Sequence, residues 1–170
     1  MIFTRTRDML KQFRSDIERK LPSEIYIASY GLWGGVNGKG EFCANCTSHN
    51  LLDYLDDPYK KNKCKTHIII GYDSQVTDVC IATAKRFKNI EFCVLPEMHA
   101  KCIITDTGIV AMGSSNFTDS EWFELNRYET LGVKSREYSE VYKYIQRLYN
   151  ESENIFDADI VDISALIHRG

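Results

Sequence analysis

MHAKCIITDTGIVAMGSSNF, residues 98–117, reads as two apolar strands joined by a tight turn at TDTG, with Asp106 and Gly108 as the turn residues. Successive strand side chains point to opposite faces. His99 and Lys101 therefore share one face, and Ala100, Cys102 and Ile104 pack on the other. A buried strand has no structural need for an imidazole beside an ammonium. The second strand ends at Gly113, after which Ser114 and Asn116 are placed to turn back toward the same spot. Imidazole, ammonium, hydroxyl and amide together suit a phosphodiester: the lysine and asparagine bind its oxygens, and the histidine attacks phosphorus or moves a proton.

Helix and strand signals alternate around this hairpin. Residues 5–20 place Met9, Leu10, Phe13 and Ile17 at helical spacing. EIYIASY is a strand, followed by the glycine-rich GLWGGVNGKG, and SHNLLDYL is a short helix ended by DDP. THIIIGY has the β-branched run of a buried strand, and DSQVTDVCIATAKRF is a helix with an Asp or Ser cap. IEFCVL and NRYETLGV are further strands. SREYSEVYKYIQRLYN is a long helix with Tyr138, Val141, Ile145 and Leu148 on one face, and the apolar tail after residue 153 has no regular period. This order predicts an α/β class fold, a layered α/β/α sandwich around a mixed β-sheet.

A chain of 170 residues is expected to form a single domain, 1–170, with a real core. Its 44% hydrophobic and 26% charged content is that of an ordinary globular protein. No apolar run is long enough to span a bilayer, and charges interrupt the N-terminal stretch where an export signal needs its apolar core. A cytoplasmic location without membrane association is the expectation. Net charge is −3, so any polyanion must be met by a local patch. Of the six cysteines, Cys80, Cys93 and Cys102 lie in apolar segments and read as small buried hydrophobes.

The pattern His99-x-Lys101-x4-Asp106-x6-Gly113-Ser114-x-Asn116 resembles the HKD motif of the phospholipase D superfamily, with the short ending of its small single-motif endonucleases. Glu129, in the next strand, matches the family's acidic residue. The resemblance implies a phospholipase D-like fold and a metal-independent phosphodiesterase, a hydrolase needing no catalytic cofactor, that works through a phosphohistidine. Its implied site residues are His99, Lys101, Asn116, Ser114 and Glu129, with Asp106 holding the motif's loop. The chemistry needs two histidines, and His49, His67 and His168 stand in no comparable context. A homodimer sharing one active site across a twofold axis is therefore implied.

A second constellation lies at about residues 41–67. Cys43-x2-Cys46 has knuckle spacing, with Cys64-x2-His67 as its partner pair and His49 as the rival fourth ligand. It reads either as a structural zinc insert, loosely similar to one found in dimeric single-motif nucleases, or as reduced cysteines beside a strand that begins at His67. For substrate, Lys60, Lys61, Lys63 and Lys65 form a basic run, and Arg127, Lys134 and Arg136 follow the motif. Tyr30, Trp33 and Trp122 sit in loops expected to rim the site, where an aromatic ring stacks on a base or packs in the core or a dimer contact. The reading is an endonuclease on DNA or RNA. The alternatives are a lipid or small-molecule phosphodiesterase and a nucleic-acid-binding subunit of a restriction or defence system.

Overall fold

A computed structural model describes residues 2–30, 32–33, 52, 54–57, 63–71, 77–108, 110–114, 117–118, 128–131 and 135–158. The elements in chain order are β1 (Ile2–Arg5), α1 (Thr6–Arg19), β2 (Glu24–Ser29), β3 (Leu32–Trp33), β4 (Lys65–Ile70), α2 (Thr77–Arg86), β5 (Glu91–Val94), β6 (Cys102–Thr105), β7 (Val110–Met112), β8 (Phe117–Thr118), β9 (Tyr128–Leu131), α3 (Ser135–Glu151) and β10 (Glu153–Asn154).

Among the described residues, eight strands form one sheet in the order β1-β9-β7-β6-β2-β4-β5-β10. The pairs β2–β4 and β4–β5 are parallel and the rest antiparallel, which makes the sheet mixed. β4 sits at the centre of the parallel part, and its Ile68, Ile69 and Ile70 are all fully buried. A strand covered on both faces has no solvent side, which is why its sequence is a continuous apolar run rather than an alternation.

The two faces carry separate cores. On one, Met9, Phe13 and Ile17 of α1 and Cys80 and Ala84 of α2 pack with Ile25, Ile27, Ile68, Ile70, Phe92 and Val94. The four-residue spacing of the α1 residues puts them on one stripe. Leu52 and Leu55 join the same core. On the other face, Ile145 and Leu148 of α3, flanked by Tyr138, Val141, Tyr142 and Tyr149, cover Tyr26, Ala28, Ile69, Cys102 and Ile104. Each fully buried large apolar side chain contributes about 1.5–3 kcal/mol, so these stripes hold the helices to the sheet.

The layered sandwich is thus as expected, with some additions. β1 precedes the first helix, meeting its expected span only at Arg5, and pairs with β9 at a sheet edge. In the tail, Glu153 and Asn154 pair with β5 and Ile155 is buried beneath them. Four of the cysteines, Cys64, Cys80, Cys93 and Cys102, are described, and all are free and buried. Burial pushes the Cys93 and Cys102 thiols up to about 12, consistent with inert core residues. Among the described residues, no helix is long and apolar enough to cross a membrane.

Candidate active site

Parallel β2 and β4 end together at Ser29 and Ile70, and Tyr30 and Gly71 follow them. Antiparallel β6 starts at this same edge, so Met98–Lys101 lie beside those strand ends, and β7 finishes there at Met112–Ser114. Ligands of open α/β sheets bind at the carboxyl ends of parallel strands, and the motif histidine and lysine are delivered to that edge.

One detail differs from the sequence reading. His99 and Lys101 do not lie within the strand; β6 begins at Cys102, whose partner Ala28 is the last residue of β2 to pair with it. Beyond Ala28 the chain bends into Tyr30, and residues 98–101 leave the ladder. Freed from strict alternation, the two side chains converge. Lys101 Nζ lies 3.1 Å from His99 Nδ1 and 3.5 Å from Nε2, and donates to the His99 carbonyl oxygen at 3.0 Å. His99 is exposed, and Tyr30 packs on its ring with centroids 4.9 Å apart.

The approach to His99 is a turn with Pro96 and Glu97 at its centre, closed by the Met98 N–H donating to the Leu95 carbonyl at 3.3 Å. Glu97 has φ 64°, a left-handed conformation that type II turns usually assign to glycine after a proline. Gly71 lies directly under this segment. A Cβ there would stand 2.3 Å from the Met98 carbonyl oxygen and 2.5 Å from Tyr30 Cδ2. The sequence reading passed over this residue. Its signal was a glycine closing a buried strand at the edge where the histidine sits.

Asp106 lies at the opposite end of β6. Its Oδ1 accepts the backbone N–H groups of Ser23 at 2.9 Å and Glu24 at 3.2 Å, fixing the start of β2 to the hairpin turn. Gly108 closes that turn with φ 95° and an N–H donated to the Thr105 carbonyl. The aspartate therefore fastens β2 to the turn at the end of β6 away from the imidazole. The Tyr138 hydroxyl of α3 also donates to the Thr105 carbonyl.

Ser114 is exposed at the His99 edge, one residue past Gly113, whose N–H reaches the Lys101 carbonyl at 3.5 Å. Asn116 lies outside the described residues, as do Trp122 and Arg127. Glu129 sits on β9, two residues before Leu131, which pairs with Ala111; that register carries its backbone toward the Gly113 end of the sheet. Leu32 and Trp33 of β3 pair with Phe117 and Thr118 of β8, so the segments that follow β2 and β7 meet.

The expected pairing of Cys64 with His67 is not formed. Cys64 packs in the core beneath α1 and α2, whereas His67 faces α3, between the rings of Tyr26 and Tyr149 at 4.9 and 4.5 Å. Residues three apart at a strand start fall on opposite faces, a parity that counting ligand spacing along the sequence ignores. His67 Nδ1 lies 3.2 Å from Glu91 Oε1, and its Nε2 has no hydrogen-bond partner, with Glu24 Oε1 3.9 Å away. Burial pushes the Cys64 thiol up to about 11, which disfavours the thiolate a metal needs. No three His, Cys, Asp or Glu side chains among the described residues are grouped to hold a metal. Cys43, Cys46 and His49 lie outside the described residues.

Residues 23–152 match the family model described as the PLD-like domain of cardiolipin synthase. The chain belongs to the phospholipase D superfamily, and the match spans the whole strand edge built around His99. Among solved structures it is similar to NucT from Helicobacter pylori, with a TM-score of 0.61 and 19% identity over 90% of this chain and 97% of that one. It is also similar to Nuc, a phospholipase D family member from Salmonella typhimurium, with a TM-score of 0.59 and 13% identity over 90% and 95% of the two chains. TrmBL2, an archaeal chromatin protein, aligns with a TM-score of 0.50 and 13% identity over 91% of this chain and 55% of its own. No curated protein matches the sequence.

Proposed function

We propose that this phospholipase D superfamily hydrolase is a metal-independent endonuclease acting on DNA or RNA, with one active site shared by two copies of the chain. The observation that carries the reading is the contact between Lys101 Nζ and the exposed His99 ring at the carboxyl edge of the sheet. An ammonium there meets a nonbridging phosphate oxygen while the imidazole faces phosphorus. Nuc and NucT, which share the fold over nearly their whole length, and the DNA-binding TrmBL2 support nucleic acid as the substrate class.

In this reading one imidazole nitrogen of His99 attacks phosphorus and forms an N–P bond. The bond from phosphorus to the leaving oxygen breaks as the partner's His99 donates a proton to that oxygen. The same partner imidazole then removes a proton from water. Water attacks phosphorus, the N–P bond breaks, and both histidines return to their starting forms. Lys101, Ser114 and Asn116 bind the phosphate oxygens, and Glu129 orients an imidazole. A zinc in the 41–67 insert would be structural, and its histidine would be His49, because His67 is committed to Glu91 on the far face. The free buried cysteines suit a reducing compartment, the cytoplasm.

A lipid phosphodiester is the second reading, favoured by the family model's cardiolipin synthase description and by an apolar groove beside Lys101. The test is a cleavage assay in EDTA on single- and double-stranded DNA, RNA and phospholipid vesicles, with wild type and His99→Ala. We expect His99-dependent nucleic-acid cleavage that survives chelation. Immediate loss in EDTA restored by Mg2+ would overturn the mechanism, and turnover of lipid alone would overturn the substrate.

A further inference from the structure

A groove of about 460 Å3 opens beside His99 and Lys101, between the start of β6, the end of β7 and α3. Its walls are mostly apolar, formed by Met112, Val141, Tyr144 and Ile145, with Glu140 also on its lining. Two of these residues are large apolar side chains left open to solvent: Met112 is 38% exposed and Tyr144 is 49% exposed. The size is that of a small-ligand pocket.

Charge is divided along the groove. The His99–Lys101 pair stands just before β6, and Glu140 stands on α3 four residues before Tyr144, so Glu140 and Tyr144 share one helix face. A phosphate held by Lys101 has its ester substituent beside the groove. A second phosphate would meet the Glu140 carboxylate, so a nucleic-acid backbone is repelled from this channel. A planar, uncharged group bearing a hydrogen-bond donor is accepted.

We propose that this groove is a base subsite, resting on the nuclease reading above. Tyr144 and Met112 pack on an unstacked nucleobase next to the scissile phosphate, and Glu140 accepts a hydrogen bond from its exocyclic amino group. Base–aromatic stacking is tolerant of sequence, whereas a carboxylate is not: it pairs with the cytosine N4 amino group and is repelled by the O4 carbonyl that thymine presents in its place. Glu140 is then a specificity-determining residue, and single-stranded or locally opened nucleic acid is the form that fits, because a paired base keeps its amino edge engaged and its faces stacked.

The test compares kcat/KM on oligo(dC) and oligo(dT) single strands, which differ in that edge but not in ring size. Wild type should favour oligo(dC) by about tenfold. Glu140→Gln supplies both a donor and an acceptor and should bring the ratio close to one, while a merely structural role for Glu140 would change both rates together. Tyr144→Ala should raise KM on both substrates, and Tyr144→Phe should retain wild-type KM. Equal wild-type rates on the two strands, or a preference unmoved by Glu140→Gln, would overturn the proposal. So would sedimentation showing that Tyr144→Ala splits a dimer while the oligo(dC) preference persists, which would make the groove an interface between copies. Absence of His99-dependent cleavage of both strands, alongside lipid turnover, would remove the nuclease reading itself.

Discussion

The Cα of Gly71 lies so close to the Met98 carbonyl that a Cβ would stand 2.3 Å from the oxygen, and 2.5 Å from the Tyr30 ring that packs on His99. Two parallel strands and the segment that carries His99 thus meet at a point where only hydrogen fits. Gly71→Ala must displace backbone on one side or the Tyr30 ring on the other. The expected result is a loss of about 1–3 kcal/mol in denaturant unfolding. Activity of the folded fraction should fall by about a hundredfold, the scale for a misplacement near 1 Å. Wild-type stability and turnover together would show that the packing here is loose.

Asp106 acts at the other end of the same strand. Removing its carboxylate leaves the Ser23 and Glu24 N–H groups without that acceptor. Asp106→Ala should destabilise by ~1–2 kcal/mol, the scale of hydrogen bonds to a charged group discounted for solvent exposure. The folded variant should keep its KM, because the lesion is remote from the substrate edge. A raised KM at unchanged Tm would contradict the fastener role.

The cluster beneath α3 gives stability a pH dependence at both ends. Burial pushes the Tyr26 phenol up to about 12, reinforced by its hydrogen bond to Glu24, and raises Tyr142 and Tyr149 as well. A phenol held neutral by folding contributes stability that is complete below its unfolded pKa near 10 and lost as pH rises toward 12. For Glu91, burial alone would raise the carboxyl. Hydrogen bonds from Tyr149, His67 and Cys93 outweigh it and hold the group below its ordinary value of 4.5. That stability is complete above 4.5 and lost as pH falls through the depressed value. Glu91→Gln should flatten the acid limb of a plot of unfolding midpoint against pH and weaken the alkaline limb in part, because burial still raises the phenols but the Glu91 charge no longer helps to hold Tyr149 and Tyr26 up. Tyrosinate absorbance should show these buried phenols ionising only with unfolding.

Lys101 touches both ring nitrogens of His99 at 3.1 and 3.5 Å. Lys101→Ala removes a preorganised cation from the phosphate position and should cost about 10²–10³ in kcat, the range for losing one such stabiliser. Lys101→Arg should recover only part, since a planar guanidinium presents its charge differently. Single-turnover rates on saturating DNA would measure this.

The local structure of the 98–117 segment was legible because its signals are local. Residue type and spacing within 98–117 predicted the hairpin, the turn at Gly108 and the shared edge of His99 and Lys101, whereas a structural role for Asp106 was what the family resemblance implied. The helical stripes of α1 and α3 were equally plain: Met9, Phe13 and Ile17 on the first and Ile145 and Leu148 on the second are buried, with Tyr138 and Val141 partly buried beside them. Long-range features were not legible. Gly71 matters because β4 ends under Met98, a contact between segments far apart in sequence. β1 and β10 are short edge strands whose pairing depends on partners elsewhere. His67, one of two candidate fourth ligands, lies on the opposite face from Cys64, a parity that spacing along the sequence does not show.

The proposed sharing of one active site by two chains makes the most exposed prediction. A single chain supplies one motif histidine. His67, the other described histidine, is held between Tyr26, Tyr149 and Glu91, on β4 residues that pair well short of the His99 edge, so it is unavailable as a general acid there. If two chains complete the chemistry, each site needs two intact His99 residues, one as nucleophile and one as acid. Wild-type chains mixed with excess His99→Ala chains under subunit exchange should lose more activity than dilution explains. Mixed dimers would hold one imidazole and would stop at a phosphohistidine or turn over slowly, and acid-labile label from 32P-DNA should accumulate on the wild-type chain. A monomer that sediments alone, remains active, and follows a straight dilution line in the mixing series would rule out the shared site and return the search for a general acid to His49 and His168.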